Sequence, residues 1–351
     1  MEETSDMEAL DKPIFKDGRY NNPWDTWRWP PLKKMFRWFL LDKNLSSVPS
    51  QSILNSSLPI VPVDNNEELE TPPSSGVRLL WIGHASTLVQ FDGVTLLTDP
   101  VFGSRCGLYS SFGPKRYRHS PMSVELLPTV NAVIISHNHY DHLDIWTVSK
   151  LNQRFGKNLK WFVPMGNKIW LENNGCENVE ELTWWQETKL SVEGKEIMVA
   201  CTPCQHWSNR GLLDRCKTLW SSWVVKGPNH SFFFGGDTGY CSVFKQIGKK
   251  YGPFTVAAIP IGAYYPRDCL TCQHVNPEEA VEIHKDIKSM SSVGIHWGTF
   301  ALTYEHYLEP PIKLKKALKD QNLEEDAFVT LKHGESKIFQ EKPQNSQTIS
   351  K

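Results

Sequence analysis

The chain has 351 residues, of which 40% are hydrophobic and 22% are charged, and its formal net charge is −1. This composition excludes a globally disordered chain and allows one large α/β domain or two small ones. The near-neutral charge argues against a general nucleic-acid binder. No run of about eighteen apolar residues is present, so no transmembrane helix is predicted.

The chain opens with an acidic segment and continues with aromatic, proline-rich sequence. Such an opening lacks the pattern of a secretory signal, so we expect an intracellular protein whose eight cysteines remain thiols. Two pairs, Cys201/Cys204 and Cys269/Cys272, have the C-x-x-C spacing of structural zinc sites. We interpret them as buried thiols, because the first pair lies just before His206 at the end of a predicted strand.

Residues 1–75 differ in composition from the rest and are interpreted as an N-terminal arm. Within this arm, residues 32–41 place apolar side chains at i, i+3, i+4, i+7 and i+8, while Lys33, Lys34 and Arg37 fall on another face. The pattern predicts an amphipathic helix that lies in the headgroup region of a membrane. Packing against the catalytic domain and a dimer contact are the alternatives.

From residue 76 the sequence changes to strands with interspersed helices, and we predict a catalytic domain over 76–338 and a polar tail over 339–351. The predicted strands cover residues 77–82, 87–91, 94–98, 133–135, 159–163, 197–202, 219–225, 231–235, 256–259 and 293–296. The predicted helices cover residues 145–154, 167–173, 277–288 and 311–320. This succession favours a layered α/β domain.

The sharpest motif is His-Asn-His-Tyr-Asp-His at residues 137–142, directly after a short apolar run. Imidazole nitrogen and carboxylate oxygen are ligands that zinc accepts in catalytic sites. The alternating pair His137 and His139 could share one metal, and Asp141 and His142 could reach a second. A histidine-rich surface loop is the alternative, but the position after a buried strand argues against it.

Three further candidates are His206, Asp237 and His296, each at or just after the end of a predicted strand. Open α/β sheets place their ligands there. Taken alone, each is weak: a single histidine is more often hydrogen-bonded and structural, and Asp237 in Gly-Asp-Thr-Gly could be a turn residue. Their order after the six-residue motif indicates a binuclear metal site.

In this order, the seven candidates resemble the metal motifs of the metallo-β-lactamase superfamily, and Asp99 in Leu-Thr-Asp-Pro resembles its first motif. The resemblance implies a four-layer αββα sandwich with two Zn²⁺ per chain at the sheet edge, and a supporting role for Asp99. The implied ligands of the first zinc ion are His137, His139 and His206. The implied ligands of the second are Asp141, His142 and His296, with Asp237 bridging both.

Flanking blocks narrow the resemblance to the N-acylphosphatidylethanolamine-hydrolysing phospholipases D. They stand at residues 81–85, 113–116, 135–144, 234–241, 258–264, 273–275 and 296–302. The resemblance implies a zinc-dependent phosphodiesterase that releases N-acylethanolamine and phosphatidic acid, and it implies a homodimer. A hydrolase of the same fold acting on a lactone, a thioester or nucleic acid is the alternative, because the metal motif alone does not distinguish substrates. An inactive membrane-binding protein ranks last, since all seven ligands are present.

Several residues are expected to act beside the metals. Asp141 is predicted to be catalytic as well as a ligand. By the resemblance, His274 contacts the phosphate or transfers a proton to the leaving alkoxide, and Gln273 binds substrate beside it; a loop histidine satisfied by the backbone is the equal alternative for His274. His84 is expected either to orient a metal-bound group or to be a buried strand-end histidine. The basic stretch 113–118 is interpreted as serving a phosphate headgroup or the surface.

A phospholipid substrate with three acyl chains must be met at a bilayer. We therefore expect N-acylphosphatidylethanolamine and a phospholipid membrane surface as partners, and no nucleic acid. The expected location is peripheral, on the cytosolic face of intracellular membranes.

Overall fold

The computed structural model describes residues 10–31, 33–34, 46–65, 67–108 and 113–340. The predicted amphipathic helix, apart from Lys33 and Lys34, and residues 341–351 of the predicted tail lie outside these ranges. The strands are β1 (Ile14–Lys16), β2 (Arg19–Asn21), β3 (Val77–Gly83), β4 (Ser86–Phe91), β5 (Val94–Thr98), β6 (Ala132–Ile134), β7 (Lys160–Pro164), β8 (Val179–Leu182), β9 (Glu187–Val192), β10 (Lys195–Thr202), β11 (Ser222–Lys226), β12 (Ser231–Phe234), β13 (Val256–Pro260), β14 (Ser292–Ile295), β15 (Phe328–Val329) and β16 (Ser336–Phe339). The helices are α1 (Gln51–Ser57), α2 (Ile145–Phe155), α3 (Lys168–Asn173), α4 (Val243–Lys250), α5 (Arg267–Leu270), α6 (Pro277–Asp286) and α7 (Glu309–Asp320).

Two mixed sheets form the centre of the protein. The first has the strand order β16-β3-β4-β5-β6-β7-β8, and the second has the order β15-β14-β13-β12-β11-β10-β9. Apolar residues of α2 and α3 join one buried cluster with the outer face of the first sheet. Those of α4, α6 and α7 belong to the larger cluster, which also fills the space between the sheets. The predicted αββα sandwich is therefore confirmed.

The alternation of side chains along β3 shows why these strands are apolar throughout. Leu79 and Trp81 point into the cluster between the sheets, whereas Leu80 and Ile82 point to the cluster under the helices. Successive strand residues face opposite sides of a sheet, so a sheet covered on both faces needs apolar residues at nearly every position. The continuous apolar runs in the sequence are the consequence.

Helices α2 and α6 begin at caps that the sequence encodes. The Asp144 carboxylate accepts hydrogen bonds from the backbone of Trp146 and Thr147 at the start of α2. Asn276 and Glu279 form a capping box around Pro277 at the start of α6. Such caps satisfy N–H groups that the first helical turn leaves free. Because the cap of α2 directly follows the six-residue motif, it fixes where that loop ends.

The described part of the arm packs against the catalytic domain. Tyr20 donates a backbone hydrogen bond of 2.7 Å to the Cys216 carbonyl. The rings of Trp24 and Trp184 stack at 5.5 Å, and Leu54 of α1 is fully buried in the larger cluster. At the other end, the predicted limit of the domain at residue 338 falls inside β16. Among the described residues, no helix has both the length and the apolar character needed to cross a bilayer.

Candidate metal centre

The seven predicted metal ligands follow four strand ends. The loop between β6 and α2 carries four of them, and β10, β12 and β14 are each followed by one. Parallel pairing of β5 with β6, and of β12, β13 and β14 with one another, places the carboxyl ends of these strands at one edge of each sheet. The structure brings all seven side chains into one cluster: His137, His139, Asp141, His142, His206, Asp237 and His296.

Three histidines form the first group of this cluster. The His139 Nδ1 atom lies 2.8 Å from His137 Nε2 and 3.3 Å from His206 Nε2. The His206 Nδ1 atom lies 3.0 Å from the Gln273 carbonyl oxygen, which can only accept, so Nδ1 carries the proton. A neutral imidazole has one N–H, and the His206 Nε2 lone pair therefore points at the other two rings. This convergence of nitrogen donors fits a metal cation.

A second group gathers around Asp237. The His142 Nε2 atom lies 3.2 Å from both the His296 Nε2 atom and the Asp237 Oδ2 atom. Asp141 Oδ2 lies 3.5 Å from His142 Nε2 and 3.7 Å from His296 Nε2. The same Asp237 Oδ2 atom is 3.8 Å from His206 Nε2 in the first group. Asp237 thus stands between the two groups, as a bridging ligand must.

The electrostatics of the cluster suit cation binding. Burial lowers the pKa of His137 and of His206 well below the ordinary value, so both rings are neutral. Burial alone would raise the pKa of Asp237, but the charges and hydrogen bonds of His142 and His296 hold it well below its ordinary value. In the same way, burial opposes protonation of His296, but Asp237 and Asp141 raise its pKa to about 9. A bound metal cation displaces such protons.

Residues behind the cluster hold the ligands in place. The Asp99 carboxylate accepts from Ser136 N at 2.7 Å, from Ser136 Oγ at 2.5 Å and from His142 Nδ1 at 2.6 Å. His84 Nε2 lies 2.9 Å from Asp141 Oδ2. The sequence indicated supporting positions for Asp99 and His84 but not for Ser136, whose only signal is its place before His137. Partners of this kind fix the tautomer and orientation of ligands.

Three non-glycine residues at the cluster have positive φ angles: His84 at 53°, Asp99 at 33° and His296 at 62°. Left-handed backbone costs about 1–3 kcal/mol for each such residue, and it persists where surrounding contacts over-determine it. Here the contacts include the hydrogen bonds from His84 N to Thr299 Oγ1 and from His296 N to the His84 carbonyl. The left-handed backbone at these residues therefore lowers the stability of the fold but directs their side chains toward the cluster.

His274 and Gln273 lie beside the cluster. His274 Nδ1 is 3.7 Å from Asp237 Oδ2, is buried, and makes no hydrogen bond within the described structure. The Gln273 side chain accepts from Trp207 Nε1 at 2.6 Å and donates to the Cys269 carbonyl at 3.3 Å. The substrate-binding role of Gln273 stays a prediction; its backbone carbonyl already orients His206.

A cavity of about 860 Å³ opens onto the cluster. His139, Asp141, Asp237, His274 and His296 form its polar floor. The described walls are largely apolar and carry two arginines: Arg19, Trp29, Pro30, Leu212, Leu213, Arg215, Leu270 and Leu302. The volume falls within the range of small-molecule sites, and the apolar wall suits an acyl chain.

The arm supplies part of this wall and also touches the cluster from behind. Arg19, Trp29 and Pro30 line the cavity. The Asn22 Nδ2 atom donates to the His206 carbonyl at 2.8 Å, and Thr26 Oγ1 lies 2.5 Å from the neighbouring Gln205 side chain. The described arm is therefore part of the site.

Comparison with known proteins agrees with this geometry. Residues 95–297 match the model of the β-lactamase superfamily domain. The chain is 42% identical over 344 residues to N-acyl-phosphatidylethanolamine-hydrolyzing phospholipase D 1 of Caenorhabditis elegans, and the match covers 95% of each chain. The chain belongs to the N-acylphosphatidylethanolamine-hydrolysing phospholipase D family of the metallo-β-lactamase superfamily. It is therefore an enzyme, a hydrolase of this family.

One further relative and one solved structure extend the comparison. The chain is 32% identical over 343 residues to the mitochondrial N-acyl-phosphatidylethanolamine-hydrolyzing phospholipase D of Saccharomyces cerevisiae, covering 86% of this chain and 72% of the yeast chain. The structure of a metallo hydrolase from Ignicoccus hospitalis superposes with a TM-score of 0.58 at 22% identity, covering 76% of this chain and 100% of that one. The latter similarity shows the fold alone.

The structure also bears on two other predictions, those for the cysteines and for the basic stretch 113–118. All eight cysteines lie among the described residues, are buried and form no disulfide bond, as expected. The basic stretch 113–118, however, does not lie wholly on the surface. Arg116 is buried and donates to the carbonyls of Val101, Ile82 and Arg118. The interpretation as a headgroup or surface element is wrong for Arg116, because its guanidinium is buried and donates to backbone carbonyls.

Proposed function

We propose that the chain is a zinc-dependent phosphodiesterase that hydrolyses N-acylphosphatidylethanolamine to N-acylethanolamine and phosphatidic acid. The observation that carries this proposal is the convergence of two ligand groups on Asp237, at the floor of a cavity with an apolar wall. Zinc suits nitrogen and carboxylate ligands, and a phosphodiester with long acyl chains suits the cavity. The relatives in C. elegans and yeast carry the name of this activity.

The proposed assignment gives the chain two Zn²⁺. His137, His139 and His206 would hold one. Asp141, His142 and His296 would hold the other, and Asp237 would be shared between them. When bound, zinc supplies Lewis-acid chemistry that activates water at neutral pH and neutralises charge on a phosphoryl group.

The residues around the cavity would divide the remaining work. In the reaction, the water oxygen bonds to phosphorus, the bond to the ethanolamine oxygen breaks, and the leaving alkoxide takes a proton. Asp141 lines the cavity and is held by His84, so we assign it a role in orienting the attacking water. Burial lowers the pKa of His274 to about 4, so its ring is neutral at pH 7. A neutral ring favours phosphate contact through an N–H over transfer of a proton from an imidazolium.

The proposal includes a membrane partner. Leu212 and Leu213, at the cavity wall, are largely exposed apolar side chains, which suits contact with lipid. We propose peripheral binding to the cytosolic face of intracellular membranes, a contribution from the predicted helix at 32–41, and a homodimer. The division into an arm (1–75), a catalytic domain from residue 76 and a polar tail is kept as part of this proposal, with the end of the domain moved to Phe339, the last residue of β16.

Turnover in mixed micelles tests the substrate. We expect release of N-acylethanolamine from N-acylphosphatidylethanolamine, and no comparable turnover of a lactone, a thioester or RNA. A chelator should abolish the release and added Zn²⁺ should restore it, because the proposed nucleophile requires the metal. Product analysis by mass spectrometry, with metal content measured on the same sample, gives the result.

Two outcomes would contradict different parts of the proposal. A protein that binds two metals but turns over only another substrate keeps the metal centre and loses the substrate assignment. Hydrolysis that survives complete removal of metal would contradict the zinc-dependent mechanism.

The His274→Ala variant tests the phosphate contact. We expect kcat to fall about 10–100-fold, because one hydrogen bond to a charged group, of about 1.5–3 kcal/mol, is lost, while the content of bound metal stays at the wild-type level. His274 also lies close enough to His206 and Asp237 to be a ligand, and loss of metal in the variant would assign it that role instead. The exposed His119 serves as control: His119→Ala should keep full turnover.

A further inference from the structure

One arginine outside the predicted site bridges both ends of the metal-binding loop. The Arg210 Nη1 atom donates to the Asn138 carbonyl at 3.1 Å and to the Leu143 carbonyl at 2.6 Å. These two carbonyls flank residues 139–142, and Arg210 itself follows His206 on the segment after β10. A single side chain thus joins the loop that carries four proposed ligands to the segment that carries a fifth.

Two aromatic rings contact the guanidinium of Arg210. Its central carbon lies 4.4 Å from the ring centroid of Tyr140 and 4.4 Å from that of Trp170. The Tyr140 hydroxyl donates to the Arg210 carbonyl, so the loop at residues 137–142 also contacts the backbone of the arginine. The Asp214 carboxylate accepts from Arg210 N at 3.2 Å and from Gly211 N at 2.7 Å. Both the side chain and the backbone of Arg210 are therefore held by named contacts.

The guanidinium of Arg210 is directed at the backbone and not at the cavity. Arg210 does not line the described cavity, although Tyr140, Asn209 and Gly211 do. Its Nη1 atom is engaged by the carbonyls of Asn138 and Leu143. Burial lowers the pKa of Arg210 to about 10, so the group is charged at neutral pH, and hydrogen bonds from a charged donor are stronger than neutral ones.

We propose that Arg210 is a positioning residue that fixes the loop at residues 137–142 against the segment bearing His206, and thereby sets the spacing of the metal ligands. This inference rests on the proposed function, since it assumes that the ligand cluster binds metal. His139 and His206 come from the two segments that Arg210 joins, and their nitrogens are 3.3 Å apart. A small shift of either segment would separate them.

Substitution of Arg210 tests this role through metal binding. Arg210→Met keeps the length and apolar stem but loses both hydrogen bonds and the charge. We expect zinc affinity to fall about 10–100-fold, the usual effect of losing a partner that orients ligands. We also expect altered visible absorption bands of the Co²⁺-substituted protein, because they report ligand geometry. Zinc affinity is measured by competition with a chromogenic chelator.

Arg154 offers a matched control. It too donates to two backbone carbonyls, those of Val124 and Leu127, and its guanidinium carbon lies 5.0 Å from the Phe155 ring. Arg154→Met removes the same kind of clamp from the carboxyl end of α2, away from the ligands. It should lower the melting temperature but keep wild-type zinc affinity and Co²⁺ bands.

The outcomes separate this inference from the proposed function. Wild-type zinc affinity and Co²⁺ bands in Arg210→Met, or equal losses in Arg154→Met, overturn the positioning role. If Arg210→Met does not fold, Arg210→Lys, which keeps the charge but lacks the planar fork, is measured in its place. Intermediate zinc affinity in this variant supports the role, and wild-type affinity and bands overturn it. A wild-type protein that binds no metal refutes the proposed function, and the inference with it.

Discussion

Asp237→Asn is expected to lower turnover by at least about 10³-fold and to release metal from the protein. In the structure the Asp237 carboxylate faces His142, His296 and His206, and it is the one carboxylate between the two proposed metal positions among the described residues. An asparagine keeps the volume but loses the negative charge, and its NH₂ group cannot act as a ligand. One substitution therefore weakens both positions.

Metal analysis and kinetics on the same preparation measure this effect. Asp92→Asn is the matched control, because Asp92 is also a largely buried carboxylate paired with a histidine, at 2.8 Å from His230 Nδ1, but it belongs to no ligand group. The control should keep its metal and its turnover. Full turnover with two metals in Asp237→Asn would show that the bridging assignment is wrong.

Asp99→Ala is expected to lower the free energy of unfolding by about 3–5 kcal/mol and to weaken metal binding about 10–100-fold. The fully buried Asp99 carboxylate accepts three hydrogen bonds, two from Ser136 and one from His142. Without it, these donors remain buried and unpaired, and the His142 ring loses the contact that turns its Nε2 atom toward the cluster. Stability and metal affinity should therefore fall together.

The control Asp92→Ala separates the loss of stability from the loss of metal affinity. Urea unfolding measures the first, and competition for zinc measures the second. Asp92 accepts from the backbones and side chains of Asn229 and His230, and it shares with Asp99 a positive φ, 50° against 33°. We expect a comparable loss of stability but unchanged metal affinity. If Asp99→Ala were destabilised but bound zinc like the wild-type protein, its role in orienting His142 would be refuted.

The sequence predicted the interior of the sandwich well because burial on both faces leaves a strong pattern. Strands β3, β4, β5 and β13 are buried along nearly their whole length, and their predicted limits agree with the structure to within a residue. Helix α6 begins at Pro277 as predicted and ends two residues early, at Asp286 rather than 288. Here local propensity and tertiary burial favour the same structure.

The edges of the sheets were not predicted, for a physical reason. Strand β8, Val-Glu-Glu-Leu, buries only its two end residues, and β9 alternates exposed and buried positions. Strand β16 is mostly exposed and is defined by pairing with β3. Helix α1 lies in polar sequence and buries one leucine. Such elements depend on partners distant in sequence, which local periodicity does not reveal.

The part of the site that could be predicted from the sequence is the set of metal-ligand residue types. Imidazoles and carboxylates at fixed spacings indicate a metal centre, and the structure brings the predicted ligands together. Arg210, in contrast, lies in a polar loop. The residues next to it in sequence do not indicate that the rings of Tyr140 and Trp170 contact it. The contact from Asn22 to His206 has no local signal either, since 184 residues separate the two.

The spread of these contacts along the chain bears on how the protein is made. His142 and His296 are 154 residues apart, and β16, near the carboxyl terminus, closes the sheet beside β3. Contacts of such long sequence separation form late and slowly in folding. A ribosome-bound chain thus emerges with its first four proposed ligands long before the last. We therefore expect metal to bind after translation is complete. A product truncated before residue 296 would lack one of the proposed metal ligands.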